Sequence, residues 1–149
     1  MKNGRQRFAL VICMAAAVLL GSCSKNEPAD VVVPRPESGT IEKIDSRQGR
    51  ALLDGDRRVL LLDVRTLREY MLGHVVGAQI GDMADQERWD FRLSELDRNE
   101  PVMVYCRDAK CSNEAAELLV EAGFKEVYDL GYPGMWDSKY LPIDKRGKS

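Results

Sequence analysis

Histidine is scarce in this chain of 149 residues, and the common metal and nucleotide motifs are missing. His74 is the only histidine, and the four cysteines show none of the paired spacings of a structural zinc site. No glycine-rich phosphate-binding motif is present. We therefore expect no metal and no cofactor, so that the chemistry must come from the side chains themselves.

Excess basic charge is also absent. The 22 lysines and arginines stand against 24 aspartates and glutamates, which gives a formal net charge of −2. Because nucleic-acid-binding domains normally carry a basic patch, we predict no nucleic-acid partner. With 44% hydrophobic and 31% charged residues, a chain of this length is typical of one globular domain.

No apolar run reaches the roughly 20 residues that a membrane-spanning helix needs. The longest run, residues 8–20, has thirteen residues without a charge and follows three basic residues. A basic segment before a short apolar one is typical of an export signal. Residues 1–22 are therefore predicted to be a signal peptide.

This predicted signal ends in Leu20-Gly21-Ser22-Cys23, which resembles a bacterial lipobox. The resemblance implies that a lipoprotein signal peptidase cuts before Cys23 and that Cys23 carries the lipid, whose acyl chains include palmitate. The domain would then lie in the periplasm, anchored to a bacterial membrane. The acyl chains would supply the attachment, since the mature chain keeps 19 basic residues against 24 acidic ones, a net charge of −5. Ordinary cleavage, with Cys23 as a free thiol, is the alternative.

Prolines mark the segment that follows. Residues 23–39 contain three prolines among serine, asparagine, glutamate and glycine, a composition typical of a flexible tether. We expect an extended spacer there, then a domain at residues 40–143 and a charged tail at residues 144–149.

Strand and helix patterns alternate through the predicted domain. Short apolar runs predict strands at residues 40–44, 59–62, 102–105 and 127–130, with an extended segment at residues 75–80. Helical patterns lie between them, at residues 45–55, 66–72, 85–96 and 112–122. This alternation predicts an α/β fold, with a central, mainly parallel sheet and helices on both faces.

Capping and apolar periodicity add detail to three of the helices. Asp45 and Gln48 have the spacing of a capping box, and the helix they begin is expected to bury Ala51 and Leu52. Two apolar stripes are expected in the core, and they consist of Trp89, Leu93 and Leu96 in one helix and of Ala115, Leu118, Leu119 and Ala122 in another.

Cys106 lies at the junction of a strand, a loop and a helix. Val102 and Val104 belong to the apolar run before it, and Ser112 is expected to cap the helix after it. Ligands bind beyond the carboxyl ends of parallel strands, where this loop would lie. The predicted position therefore makes Cys106 a candidate nucleophile. The alternative is a small apolar residue that simply ends a buried strand.

The expected surroundings of Cys106 favour its thiolate form. A loop that leads into a helix points backbone N–H groups into one concavity, and the helix dipole adds positive charge there. Reactive cysteines in such settings have pKa values of roughly 3.5 to 7.5. Arg107 and Lys110 would strengthen the effect and attract an anionic substrate, whereas Asp108 opposes it.

Four ordered motifs give the chain a family resemblance. They are Leu61-Leu62-Asp63-Val64-Arg65-Thr66, Glu69-Tyr70, Gly73-His74-Val75-Val76-Gly77-Ala78 and Val104-Tyr105-Cys106-Arg107. Together they resemble the rhodanese homology domain over about residues 40–143. The resemblance implies a single-domain sulfurtransferase in which Cys106 carries a persulfide. Its partners would be a small sulfur donor, such as thiosulfate, and a thiol or cyanide acceptor.

The resemblance also assigns roles to other residues. In the family the loop that the cysteine opens has six residues, here Cys106 to Cys111. The residues expected to bind the substrate are Arg107, Asp108, Ala109, Lys110, Cys111 and Ser112. Four polar residues, Asp63, Arg65, Glu69 and His74, mark the fold in the family and are expected to be structural. His74 is the sole candidate for a base paired with Cys106.

Two loop residues depart from the family pattern and keep other functions open. Ala109 replaces the usual glycine, which suggests a binding module that has kept the fold and lost the chemistry. Cys111 adds a second thiol, which suggests a thiol/disulfide protein that works with a redox partner in an oxidising compartment. The alternative for Cys111 is that it packs under the helix start without meeting Cys106.

Overall fold

The computed structural model describes residues 31–145. The predicted signal peptide, the lipidation site Cys23, the beginning of the tether and the end of the tail lie outside the described residues. The strands are β1 (Thr40–Lys43), β2 (Leu60–Asp63), β3 (His74–Val75), β4 (Gln79–Ile80), β5 (Val102–Tyr105), β6 (Glu126–Asp129) and β7 (Ile143–Asp144). The helices are α1 (Ser46–Asp54), α2 (Leu67–Leu72), α3 (Gln86–Glu95) and α4 (Ala109–Glu121), with a 3₁₀ turn at Pro133–Met135.

Five strands form one parallel sheet in the order β1-β6-β5-β2-β4. Strands β3 and β7 pair antiparallel in a separate ribbon. Every residue of β2, β5 and β6 is buried, as expected of strands covered on both faces. The predicted α/β fold is confirmed, and β5 lies at the centre of the sheet.

The two faces of the sheet carry separate apolar clusters. Val104 of β5 packs on one face with residues of α3 and α4, among them Trp89 and Leu119. Tyr105 packs on the other face, where Leu52 of α1 and Tyr70 of α2 contribute. Because neighbouring residues of a strand point to opposite faces, β5 joins both cores, and its carboxyl end is fixed from two sides.

Helix α1 begins as predicted, since both hydrogen bonds of the capping box between Asp45 and Gln48 are present. The expected burial of Ala51 and Leu52 is only partial, because Ser46 and Gly49 form the fully buried side. A Cβ atom on Gly49 would lie 2.9 Å from a methyl carbon of Leu130. The absence of a side chain at residue 49 therefore lets α1 approach the sheet.

Part of the predicted apolar stripe of α4 was wrong. Ala115 and Leu119 are buried, but Leu118 is 38% exposed and Ala116 takes its place in the core. The buried stripe begins one turn earlier than expected, at Cys111 and Ser112. In α3 the expected stripe is present, with Trp89 buried and its two leucines packed against the same core.

Residues 31–39, the last part of the predicted tether, have no helix or strand but lie against the domain. Pro36 is buried and Val33 packs on the core face that α1 covers. The Gln48 side-chain amide donates to the Val32 carbonyl at 3.2 Å, and the Arg35 guanidinium pairs with Glu126. Within residues 31–145, no helix has the length and apolar character needed to span a membrane.

Candidate active site

Cys106 follows β5 directly, at the carboxyl end of the central strand. Its N–H donates to the Gly131 carbonyl at 3.0 Å, which ties the residue to the loop after β6. Gly131 has φ of +74°, a conformation that costs other residues free energy, so a glycine suits this contact. The Cys106 side chain is fully buried.

The second cysteine of the loop meets the first. Cys106 and Cys111 form a disulfide, with their Cα atoms 5.7 Å apart and a sequence separation of five residues. The alternative in which Cys111 packs under the helix without reaching Cys106 is therefore excluded for this conformation. Cys111 is 7% exposed, so the pair lies just beneath the surface.

The helix after Cys106 begins four residues earlier than predicted. Helix α4 starts at Ala109, and its N-cap is Asp108, whose carboxylate accepts the Cys111 N–H at 2.8 Å. The prediction of Ser112 as N-cap was wrong, since Ser112 lies inside the helix and donates its hydroxyl hydrogen to the Ala109 carbonyl at 3.2 Å. The irregular loop is reduced to Cys106, Arg107 and Asp108, and Cys111 is placed in the first helical turn.

Ala109 fits this arrangement without strain. It is the first residue of α4 and has helical backbone geometry. Alanine is the best helix former and glycine is about 1 kcal/mol worse, so Ala109 favours a helix that starts early. Alanine in place of the family's usual glycine suggested that the chemistry was lost. In the structure, Ala109 is consistent with a well-formed first turn of α4 that carries Cys111.

The two cations of the loop are at the surface, each beside a carboxylate. Arg107 Nε lies 3.5 Å from an oxygen of Asp108, and Lys110 Nζ lies 3.5 Å from an oxygen of Glu114. All four side chains are at least half exposed, so these ion pairs are weak and screened. Arg107 and Lys110 remain available to an anion that approaches the loop.

A buried ion pair supports the sheet next to the loop. The Asp63 carboxylate is fully buried, and the Arg65 guanidinium donates to both of its oxygens, the shortest contact being 2.6 Å. The Tyr105 hydroxyl also donates to Asp63 at 2.6 Å and accepts the Val75 N–H at 3.0 Å. Because Tyr105 precedes Cys106, this network fixes the strand end that presents the cysteine.

Glu69 and His74, the other two residues that mark the fold in the family, also make structural contacts. Glu69 and Thr66 form a capping box at the start of α2. The hydrogen bond from the Thr66 hydroxyl lowers the pKa of Glu69 below its ordinary value, burial opposes this shift, and the charge of Arg107 adds to it. The His74 ring stacks on Tyr70 with 3.8 Å between centroids, and its Nδ1 lies 3.0 Å from the Tyr70 carbonyl oxygen. These contacts attach the start of β3 to α2 through His74 and Tyr70.

Two residues that hold the site were not singled out as structural from the sequence. Asp108 was expected to belong to the substrate-binding loop and to oppose the thiolate, although aspartate three positions before Cys111 is a good N-cap signal. Tyr105 stood within the family motif without an assigned role. A tyrosine at the end of a fully apolar strand is a usable signal, since a buried hydroxyl requires a partner.

Space for a larger ligand lies away from the loop. A cavity of about 480 Å³ is lined by residues of α2, β4, α3 and their flanks, with apolar members such as Leu67, Ile80 and Phe91. None of residues 106–112 lines it. In the described part of the chain, no three metal-binding side chains come together.

Fold and site together define a class, an α/β domain with a cysteine loop at the carboxyl end of its central parallel strand. The chain belongs to the rhodanese family, because the family model described as "Rhodanese-like domain" matches residues 46–135. It is 33% identical to the thiosulfate sulfurtransferase GlpE of Actinobacillus pleuropneumoniae over 72% of this chain and 96% of GlpE.

Two further relatives are consistent with this family. A putative sulfur carrier protein of Bacillus subtilis, YrkF, is 29% identical over 67% of this chain, and the match spans about half of YrkF, 52%. The solution structure of a rhodanese-like domain from the Anabaena protein Alr3790 superposes with a TM-score of 0.61 at 27% identity, covering 72% of this chain and 81% of that one.

Proposed function

We propose that this chain is a sulfurtransferase that transfers sulfane sulfur through a persulfide on Cys106. The donor is thiosulfate or a persulfide, and the acceptor is a thiol or cyanide. The observation that carries the proposal is the position of Cys106, which heads the loop between the central strand and α4. Relatives named thiosulfate sulfurtransferase align over nearly their whole length, which supports the same class of donor.

The reaction has two displacements at sulfur. The Cys106 thiolate attacks the outer sulfur of thiosulfate, the S–S bond of the donor breaks, and sulfite leaves with the bonding electron pair. The acceptor thiolate or cyanide then attacks the outer sulfur of the persulfide, and the Cys106 thiolate leaves. No cofactor enters either step.

The start of α4 supplies charge stabilisation in this proposal. The first N–H groups of a helix have no partner within the helix, and in α4 the Cys111 N–H is already bound by Asp108. The N–H groups of Ala109 and Lys110 therefore suit the negative charge of the donor or of the persulfide. Arg107 and Lys110 draw the anion toward the loop.

Removal of the Cys106 sulfur tests the proposal. We expect reduced wild-type protein to form thiocyanate from thiosulfate and cyanide, and Cys106→Ser to lose this activity, because the persulfide cannot form on a hydroxyl. The initial rate of thiocyanate formation is the measurement. Ser94→Ala, at an exposed position of α3 outside the loop, is the control, with an expected rate equal to wild type. Equal rates in Cys106→Ser and wild type would refute the assignment.

The disulfide favours a second candidate, a thiol/disulfide protein that uses Cys106 and Cys111 with a redox partner. In this role the pair would pass electrons without carrying sulfur. Reduction and reoxidation of the pair in a mixture that lacks any sulfur donor would support this candidate only if, when thiosulfate is added, Cys111→Ser gains no persulfide and wild type releases no hydrosulfide.

We also propose that the protein is a lipoprotein, with lipid on Cys23 and its domain in the periplasm. The support is the sequence Leu20-Gly21-Ser22-Cys23 after a short apolar run. Expression in a bacterial host with a labelled fatty acid tests this directly. Label on wild type and none on Cys23→Ser is the expected result, and an unlabelled wild-type protein would contradict it.

A further inference from the structure

The disulfide joins the sulfur that would carry the substrate to a second sulfur of the same chain. Rhodanese chemistry, as proposed above, needs only the Cys106 sulfur. Cys111 adds a nucleophile whose sulfur is within bonding reach of Cys106, since the two are bonded in this conformation. A thiol so placed competes with any external acceptor for the persulfide.

The local structure explains why Cys111 is in reach. Asp108 caps α4, and its carboxylate holds the Cys111 N–H at 2.8 Å. Cys111 is thereby fixed in the first turn, with its Cα 5.7 Å from that of Cys106, within the usual range for a disulfide. Both side chains are almost fully buried, so the pair meets in a space with little water.

We propose that Cys111 resolves the Cys106 persulfide and releases hydrosulfide, so that the domain reduces sulfane sulfur instead of only transferring it. This step rests on the proposed function, because it needs the persulfide. The Cys111 sulfur attacks the inner sulfur, Sγ of Cys106, and the bond from that atom to the outer sulfur breaks. The outer sulfur leaves as HS⁻ with the electron pair and the proton of the Cys111 thiol. Two thiol sulfurs are oxidised to a disulfide, and one sulfane sulfur is reduced to sulfide.

The resulting disulfide must be reduced before another cycle, and a dithiol is the class of reductant that this requires. Cys111 is 7% exposed and Cys106 is fully buried, so the external thiolate attacks Cys111 and frees the Cys106 thiolate. The second thiol of the reductant then displaces Cys111. Summed over the cycle, thiosulfate and a dithiol give sulfite, hydrogen sulfide and the oxidised dithiol.

A single-turnover experiment on the full chain tests this inference. The protein is reduced with dithiothreitol, freed of it, and mixed with one equivalent of thiosulfate without any acceptor. Wild type is expected to release one equivalent of hydrosulfide and to form the Cys106 to Cys111 disulfide, measured with a sulfide electrode and by intact mass. Cys111→Ser is expected to accumulate the added sulfur and to lose hydrosulfide release. Cys111→Ala repeats the test without a hydroxyl, and circular dichroism checks the fold of both variants.

The outcomes separate this inference from the proposed function. A Cys111→Ser protein that gains sulfur, beside a wild-type protein that keeps a stable persulfide, would overturn the inference and leave sulfur transfer intact. Hydrosulfide release from Cys111→Ser as fast as from wild type would also overturn it. No sulfur on any of the proteins would refute both. Ser94→Ala, the control variant in α3, is expected to behave as wild type.

Discussion

The carboxylate of Asp63 is buried, and the hydrogen-bond donors around it offset the free-energy cost of burying its charge. Burial of an unpaired charge is expensive, and here the guanidinium and backbone N–H of Arg65 and the hydroxyl of Tyr105 all donate to its oxygens. Burial raises the pKa of Tyr105 well above its ordinary value of 10, and the negative charge of Asp63 adds to the shift. The phenol therefore stays protonated and donates.

Replacement of Tyr105 by phenylalanine should weaken the fold. Tyr105→Phe removes a donor to buried Asp63 and the acceptor of the Val75 N–H, so we expect the free energy of unfolding to fall by about 1 to 3 kcal/mol. Urea unfolding measures this change. Tyr132→Phe, at a half-buried position in the loop after β6, is the control and should change stability by less than about 0.5 kcal/mol. Equal stability of Tyr105→Phe and wild type would contradict the role given to the hydroxyl.

At the scale of the element, helix starts were predictable only where the local signal was unambiguous. The Asp45 and Gln48 pair gave the start of α1, because both partners of the capping box are in the sequence. For α4 the sequence offers Asp108 and Ser112 as competing caps. The position of Cys111 against Cys106 is a tertiary contact, so local propensity could not choose between the two.

The cap of α4 should affect both stability and thiol chemistry. Asp108→Ala leaves the Cys111 N–H without its partner, and loss of such a cap costs about 1 kcal/mol. We also expect slower formation of the Cys106 to Cys111 disulfide, since the first turn would fray. Asp85→Ala, which removes the cap of α3, is the matched control. It should lose similar stability, measured by urea unfolding, and keep the wild-type rate of thiol oxidation. Similar oxidation rates in the two variants would contradict this assignment.

For the whole molecule, the sequence predicted the class of fold but not its arrangement. Alternating patterns predicted a parallel sheet covered on both faces. Residues of three family motifs meet near Asp63, where Arg65 and Tyr105 donate to its carboxylate and Tyr105 accepts the Val75 N–H. That the site lies at Cys106 stays a prediction from the resemblance. The strand order and the pairing of β3 with β7 depend on contacts between distant residues, which no local pattern encodes. The same holds for residues 31–39, whose composition indicates a spacer although Arg35 reaches Glu126.

The contacts of Glu126 predict an acid-dependent loss of stability. Burial raises the pKa of Glu126, but hydrogen bonds from Arg35 and Arg57 lower it more, so that the pKa is below its ordinary value of 4.5. A depressed pKa stabilises the fold above about pH 4.5, and this contribution is lost as the pH falls through the folded-state value. Glu126→Gln should therefore cost about 1 kcal/mol at neutral pH and less at an acidic pH below the ordinary value of 4.5.

Urea unfolding at both pH values tests this expectation. Glu121→Gln, which changes an exposed carboxylate at the end of α4, is the control and should resemble wild type at each pH. A cost of Glu126→Gln that is the same in acid and at neutral pH would show that the charge of Glu126 does not contribute to stability.

The location of one sulfur atom tests the central claim most directly. Reduced Cys111→Ser protein, in which the persulfide should persist, is treated with thiosulfate whose outer sulfur is a heavy isotope, and the peptide that contains Cys106 is analysed by mass spectrometry. The account predicts the heavy sulfur on Cys106 and its release as labelled thiocyanate when cyanide is added. A Cys106 peptide of unchanged mass would contradict it.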